Sequence, residues 1–187
     1  MKNALLVTNS EQSAAALSKL LEEEGYEEIT VSYSAYSAEQ QELEYDLVCI
    51  NAPLADENGI ALATRFADTT RSGVVIIVSK ASSDKVSDML NEKGVLVISK
   101  PINRHLFHHY LLFTDCFRSR LLRVERENDK LKHMVEDLKI IDRAKLLLVT
   151  CLNMSEEQAH RYLEKQAMDL QTSKLAVAKQ VIRTYQN

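Results

Sequence analysis

From residue 102 to residue 187 the chain contains neither glycine nor proline, whereas residues 1–101 hold all four glycines and both prolines. These residue types punctuate a backbone most strongly, because glycine opens left-handed turns and proline cannot continue a helix. A segment without either can turn only where capping side chains interrupt it. The chain is therefore expected to have a front built with tight turns and a back built almost wholly of helices.

The front alternates two periodicities. Apolar runs at residues 4–7, 29–31, 47–50, 74–78 and 95–98 have the length and continuity of strands buried on both faces. Ser10 is placed to cap a helix carrying Ala14, Leu17, Leu20 and Leu21, and Gly25 to end it. Ser37 and Gln40 have capping-box spacing for a short helix. Residues 59–67 read as a helix, and residues 84–93 as another stopped by Gly94. Asp46 reads as the wet start of a strand, and Asp56 as part of a polar loop. Five strands alternating with helices predict a doubly wound α/β fold with a five-stranded parallel sheet, its site at the carboxyl ends of the strands.

Hydrophobic residues make up 45% and charged residues 27%, enough to bury a core and stay in water. No apolar run approaches the roughly 18–20 residues of a membrane span, and no charged-then-apolar leader opens the chain, so a cytoplasmic protein is expected. Cys49, Cys116 and Cys151 are widely spaced and form no CxxC, which predicts free, mostly buried thiols. There is no metal-ligand spacing, phosphate loop or nucleophile–base arrangement, so no metal, cofactor or enzyme activity is expected. The net charge is −4, yet the segment from Lys139 onward holds eight Lys/Arg against five Asp/Glu, a net +3, leaving −7 in front of it. A basic tail suits contact with phosphates.

In the middle, Phe117, Leu121, Val124, Asn128, Leu131, Val135 and Leu138 recur in alternating steps of four and three. That is a coiled-coil heptad, with Leu121, Asn128 and Val135 at a and Val124, Leu131 and Leu138 at d. A lone asparagine at a fixes register and favours a parallel pair. Arg120 at g would meet Glu125 at e of a second copy, and Glu127 would meet Lys132. Such exposed pairs contribute about 0.2–1 kcal/mol each, so they select orientation more than they drive assembly. A dimerising helix is expected over residues 111–138.

Residues 139–187 read as three helices. The first continues to about Thr150; the second starts at a Ser155/Gln158 capping box and runs to about Asp169; Thr172 or Ser173 caps the third. Its expected core is Ile141, Leu148, Ala159, Leu163, Ala167, Met168, Leu175, Ala178 and Ile182. Such a domain could by itself bind protein, DNA or RNA.

Four pieces of this text resemble the ANTAR family: Ala144-Lys145, Ser155-Glu156-Glu157-Gln158-Ala159, Ala167-Met168 and Val177-Ala178. Leu146 stands where the family usually has glycine. The resemblance covers about residues 135–187. It implies an RNA-binding domain that holds two small hairpins with related loops in a leader transcript, so that polymerase reads through. Unpaired loop bases can be splayed, stacked and read at their edges. On that basis Arg143, Lys145, Arg161, Lys165 and Lys174 are candidate phosphate contacts, with Gln166, Thr172 and Ser173 as base-edge or phosphate contacts. Tyr162 and Tyr185 are expected to pack rather than stack on bases.

Residues 1–110 resemble the response-regulator receiver domain in element order and length. Ser79 and Lys100-Pro101 match positions that a receiver keeps after its fourth and fifth strands. The chemistry departs elsewhere. Thr8 and Asn9 occupy the acidic-pair positions that hold magnesium, Asn51 the aspartate that accepts phosphate, and Val97 the switch aromatic. The resemblance therefore implies a degenerate, non-phosphorylatable pseudo-receiver, with Thr8, Asn9, Asn51, Ser79 and Lys100 around a polar, metal-free pocket. Its input would be a regulatory protein or a ligand.

Together these readings predict a homodimeric RNA-binding transcription antitermination regulator. Two alternatives stay open: a DNA-binding response regulator and a dimeric scaffold or antagonist. Against the first, no tight turn leads into a strongly basic recognition helix.

Overall fold

The centre of the front unit is a sheet of five parallel strands in the order β2-β1-β3-β4-β5: β1 (Lys2–Thr8), β2 (Tyr26–Ser32), β3 (Leu47–Asn51), β4 (Gly73–Val78) and β5 (Leu96–Ser99). The computed structural model describes residues 2–41 and 44–185. The described chain divides into two compact units, Met1–Leu122 and Arg123–Asn187.

Successive side chains of a strand point to opposite faces, and that alternation divides the core in two. Leu5, Val7, Val48, Ile50, Val74 and Ile76 pack on one face against α2 (Ala35–Glu39), α3 (Ile60–Thr69) and α4 (Ser83–Leu90). Ala4, Leu6, Leu47, Cys49, Val75 and Ile77 pack on the other against α1 (Glu11–Glu23) and the start of α5 (Arg104–Leu152), through Leu17, Leu21, Phe107 and Leu111. Covered on both sides, β3 and β4 are buried throughout, which is why they read as unbroken apolar runs.

The helix ends follow from local chemistry. Ser10 caps α1 by accepting from the Ser13 amide, and Gly25 continues past its end at φ 87°. A 3-10 turn, Asn91–Lys93, closes α4 onto Gly94 at φ 69°. The cap of α2 differs from the expectation. Ser34, not Ser37, is the N-cap and accepts from the Ser37 amide, while Gln40 lies at the C-terminal end. Asp56 accepts from the amides of Ala35 and Tyr36 (2.8 and 3.0 Å), supplying a second cap from a distant loop. The Tyr36 and Ala35 amides hold its carboxyl below the usual carboxylate range.

Asn103 caps α5, its side-chain oxygen accepting from the amides of His105 and Leu106. With no breaker to stop it, α5 runs 49 residues.

In the second unit, α5 is joined by α6 (Glu156–Asp169) and α7 (Lys174–Tyr185). Ser155 and Gln158 form the complete capping box expected for α6, and Ser173 rather than Thr172 caps α7 by accepting from the Ala176 amide. One alanine from each helix, Ala144, Ala159 and Ala178, is fully buried. Side chains of that size let three helices approach closely, and Leu148, Leu163, Val177 and Val181 complete the centre. The expected core needs correction in two places. Met168 is 78% exposed, because it lies on the face of α6 opposite Ala159 and Leu163, and Leu175 is half-buried outside the cluster; Ile182 is half-buried and packs against it, while Val177 and Val181 take the inner face. Of the thiols only Cys49 is buried, its pKa pushed up to about 12; Cys116 and Cys151 lie on exposed sides of α5. Among the described residues no helix is long and apolar enough to cross a membrane.

Candidate functional site

The carboxyl ends of β1, β3, β4 and β5 bring most of the expected front-unit residues to one end of the sheet. β1 and β3 pair so that Thr8 stands beside Asn51. Both side chains are buried, and the Asn51 carboxamide donates to the Thr8 hydroxyl at 3.0 Å. That bond ties the two buried side chains to one another. β5 emerges beside β4, and the Lys100 amide donates to the Val78 carbonyl. The Lys100 ammonium donates to the Ala52 carbonyl at 2.8 Å, and partial burial pulls its pKa below that of an ordinary lysine. Ser79 hydrogen-bonds the Ser82 hydroxyl at 2.7 Å.

These placements split the five residues. Ser79 and Lys100 line a cavity of about 230 Å³ with Ala52, Pro53, Ser82 and Val86, whereas Thr8 and Asn51 are not among its lining residues and Asn9 faces solvent. The cavity is therefore more apolar than expected, with one ammonium, a serine pair and Asn58 as the polar part of its wall. Sequence reasoning missed Ser82 and Pro53, whose signal was only their place in the loops after β4 and β3.

The second candidate site is the surface of the three-helix unit. Its basic residues fall into two chemical groups. Lys145, Arg161 and Lys174 have acidic partners: Lys145 lies 2.8 Å from Asp142 and 3.4 Å from Glu156, Arg161 2.6 Å from Glu157, and Lys174 2.7 Å from Glu164. Asp142 raises the Lys145 pKa, and Lys174 lowers that of Glu164. Among the described residues Arg143 and Lys165 have no such partner, and neither do Lys139, Lys179 and Arg183. The unpaired set makes an exposed i,i+4 step on α5 (Lys139, Arg143) and another on α7 (Lys179, Arg183), while Lys165 follows Arg161 by the same step on α6. Gln166 is half-buried on the α7 side of α6 and lines a notch with Tyr162 and Tyr185. Thr172 and Ser173 are exposed in the turn between α6 and α7.

Along α5, the heptad residues Leu121, Val124, Leu131, Val135 and Leu138 are 50–62% exposed in the single chain, with Asn128 exposed among them.

A family model of the response regulator receiver domain matches residues 4–111, and one of the ANTAR domain matches residues 129–182. The transcriptional regulatory protein PdtaR of Mycobacterium tuberculosis is 29% identical over 171 residues, covering 90% of this chain and 83% of PdtaR. Among solved structures, the signal receiver domain of an HD domain-containing protein from Pseudomonas fluorescens Pf-5 superposes with a TM-score of 0.57 at 22% identity, over 67% of this chain and 92% of that one. A two-component response regulator from Clostridium difficile gives 0.54 at 21% identity, over 61% of this chain and 95% of that one. Similarity at these identities establishes the fold of the front unit.

Proposed function

Because the chain belongs to the response regulator receiver family and carries an ANTAR domain, we propose that it is a transcription antitermination regulator that binds hairpin loops in leader transcripts and has no enzymatic activity of its own. In this reading residues 1–110 are a pseudo-receiver, residues 111–138 a dimerising neck, and residues 139–187 the RNA reader. The observation that carries it is the three-helix unit itself: its inner alanines are the family's small residues, and its outer faces hold cations with no acidic partner among the described residues. Arg143 and Lys165 are the first phosphate contacts. Lys145, Arg161 and Lys174 must exchange an internal ion pair for a phosphate, which makes each worth less.

Signalling through the front unit is non-covalent. The donors at the metal and acceptor positions are Thr8, Asn9 and Asn51, a hydroxyl and two amides, and Asn51 is already tied to Thr8. This set does not fit a magnesium ion, which is held by carboxylates, and an amide is a very poor nucleophile. Incubation with acetyl phosphate and magnesium is expected to leave the intact mass unchanged. Asn51→Asp alone is expected to do the same, because Thr8 and Asn9 still supply no carboxylate. A stable phosphoprotein from the unaltered chain would remove the pseudo-receiver from this account. The input is then a regulatory protein or ligand at the face formed by Lys100, Ser79 and the cavity they line.

The test of the RNA reading compares a stem-loop RNA with duplex DNA of matched length. The stem-loop is expected to bind more tightly, and Arg143→Ala with Lys165→Ala to weaken it about uniformly across sequences, reducing the salt slope by about one per residue. Tighter duplex binding would favour the DNA-binding alternative, and unchanged RNA affinity in the double variant the scaffold.

A further inference from the structure

Lys100 is a half-buried cation with no counter-ion among the described residues. Its ammonium donates to the Ala52 carbonyl at 2.8 Å, and burial is what shifts its pKa. The positions at this end of the sheet where a receiver keeps carboxylates carry Thr8, Asn9 and Asn51, and the Asn51 carboxamide is turned to Thr8. A charge taken partly out of water without a partner is costly, and an anion brought beside it recovers that cost. An ammonium has three donors, and the bond to Ala52 uses one of them.

Most of the cavity wall beside this ammonium is aliphatic. Pro53, Ile60, Val78 and Val86 line it from four segments of the front unit, and no second charged side chain does. The other polar groups are neutral. The Ser79 and Ser82 hydroxyls lie 2.7 Å apart, and the Asn58 oxygen is committed to the Ile60 amide, which leaves its NH₂ as a donor. The volume of about 230 Å³ is about eight water volumes, room for an acid of roughly eight non-hydrogen atoms and too little for a nucleotide. A dianion such as phosphate fits less well. One ammonium leaves its second charge unmatched, and an aliphatic wall gives its oxygens no donors.

We propose that this cavity binds a small monocarboxylic acid with a compact aliphatic body, its carboxylate on Lys100 and Ser79 and its body against Val78 and Val86. The Ser79 hydroxyl can exchange its bond to Ser82 for one to the carboxylate, because a hydroxyl rotates to suit its partner. Burial of the aliphatic body supplies affinity, and the charge-assisted bond to Lys100 supplies selectivity for the acid. The assignment rests on the pseudo-receiver reading and gives the input of the front unit a chemical class, an organic acid held without covalent transfer.

The probe is 4-methylpentanoate, titrated calorimetrically into the full-length protein. Three comparison ligands divide its features: 4-methylpentanamide has the body without the charge, acetate the charge without the body, and inorganic phosphate a second charge. 4-Methylpentanoate is expected to bind about tenfold or more tightly than each of them. Lys100→Met, which keeps an unbranched stem, is expected to bring the acid down to the affinity of the amide and to leave the amide unchanged. Ile60→Phe, which fills the cavity without touching the ammonium, is expected to weaken acid and amide alike. Ser79→Ala, an exposed position, keeps the carboxylate contact testable should Lys100→Met lower the melting temperature; it is expected to weaken the acid and not the amide. Equal affinity for acid and amide, or an undiminished acid affinity in a folded Lys100→Met variant, would overturn the proposal. So would phosphate binding more tightly than 4-methylpentanoate, or no saturable binding of the acid at millimolar concentration. Acetyl phosphate with magnesium keeps the two readings apart. A phosphoprotein would remove the pseudo-receiver, whereas an unchanged mass without acid binding would remove only the ligand class.

Discussion

With Leu131 and Val135 both replaced by aspartate, the chain is expected to sediment as a monomer and to lose about 100-fold or more in affinity for an RNA bearing two hairpins, while its affinity for one hairpin hardly changes. Leu131 and Val135 are 62% and 51% exposed in the single chain, on the same heptad stripe as Leu121, Val124 and Leu138. Two aspartates per helix would place four carboxylates in the seam of a parallel pair. Burying an unpaired charge costs several kcal/mol, more than three or so heptads of exposed apolar contact can offset. The RNA consequence follows from linkage. A dimer that holds one hairpin presents its second reader at a high effective concentration, which raises avidity by about 10²–10⁴ without any new contact. A variant that remains dimeric in sedimentation would show that this stripe is not the interface. A monomeric variant with undiminished two-hairpin affinity would show that pairing is not what the RNA reads.

The other large effect lies in the core of the reader. Leu148→Ala removes a side chain with no solvent exposure, packed in the cluster that includes Ala159, Leu163 and Ala178. Truncations of that kind cost about 2–5 kcal/mol, and a core of this size rarely supplies more than about 3–5 kcal/mol. The expected outcome is loss of hydrogen-exchange protection through α6 and α7, together with loss of RNA binding. The sheet of the front unit, with its own two-sided core, should keep its protection. Met168→Ala is the control, because its side chain is 78% exposed and surface changes of this sort stay within about 0.5 kcal/mol. If the two variants were equally destabilising, the assignment of α6's inner face to Ala159 and Leu163 would be wrong.

The five strands stood out because a strand covered on both faces must be apolar at every position, and β3 and β4 are. The caps at Ser10, Ser155 and Asn103 were legible because an N-cap is a local bargain between one side chain and the next two or three amides. The α2 cap was not, since its second ligand, Asp56, lies twenty-one residues away from Ala35. Met168 misled for a similar reason. A large apolar residue beside Ala167 reads as core, but the direction of the inner face depends on where α5 and α7 press on α6. The Thr8–Asn51 bond was equally invisible, because register between strands forty-three residues apart sets it.

By itself the sequence determined the fold class, the absence of glycine and proline after residue 101, the heptad stripe and the identity of the neutral residues at the front site. These depend on periodicity and side-chain chemistry, which any window of the chain displays. Only the tertiary structure decided which cations already hold an acidic partner, that Asn51 turns to Thr8 rather than to the cavity, and that Gln166 meets two tyrosines around one notch. Apart from the Lys145–Asp142 and Arg161–Glu157 pairs, which lie within one helix, each of those facts is a distance between residues on different elements, and such distances are set by packing.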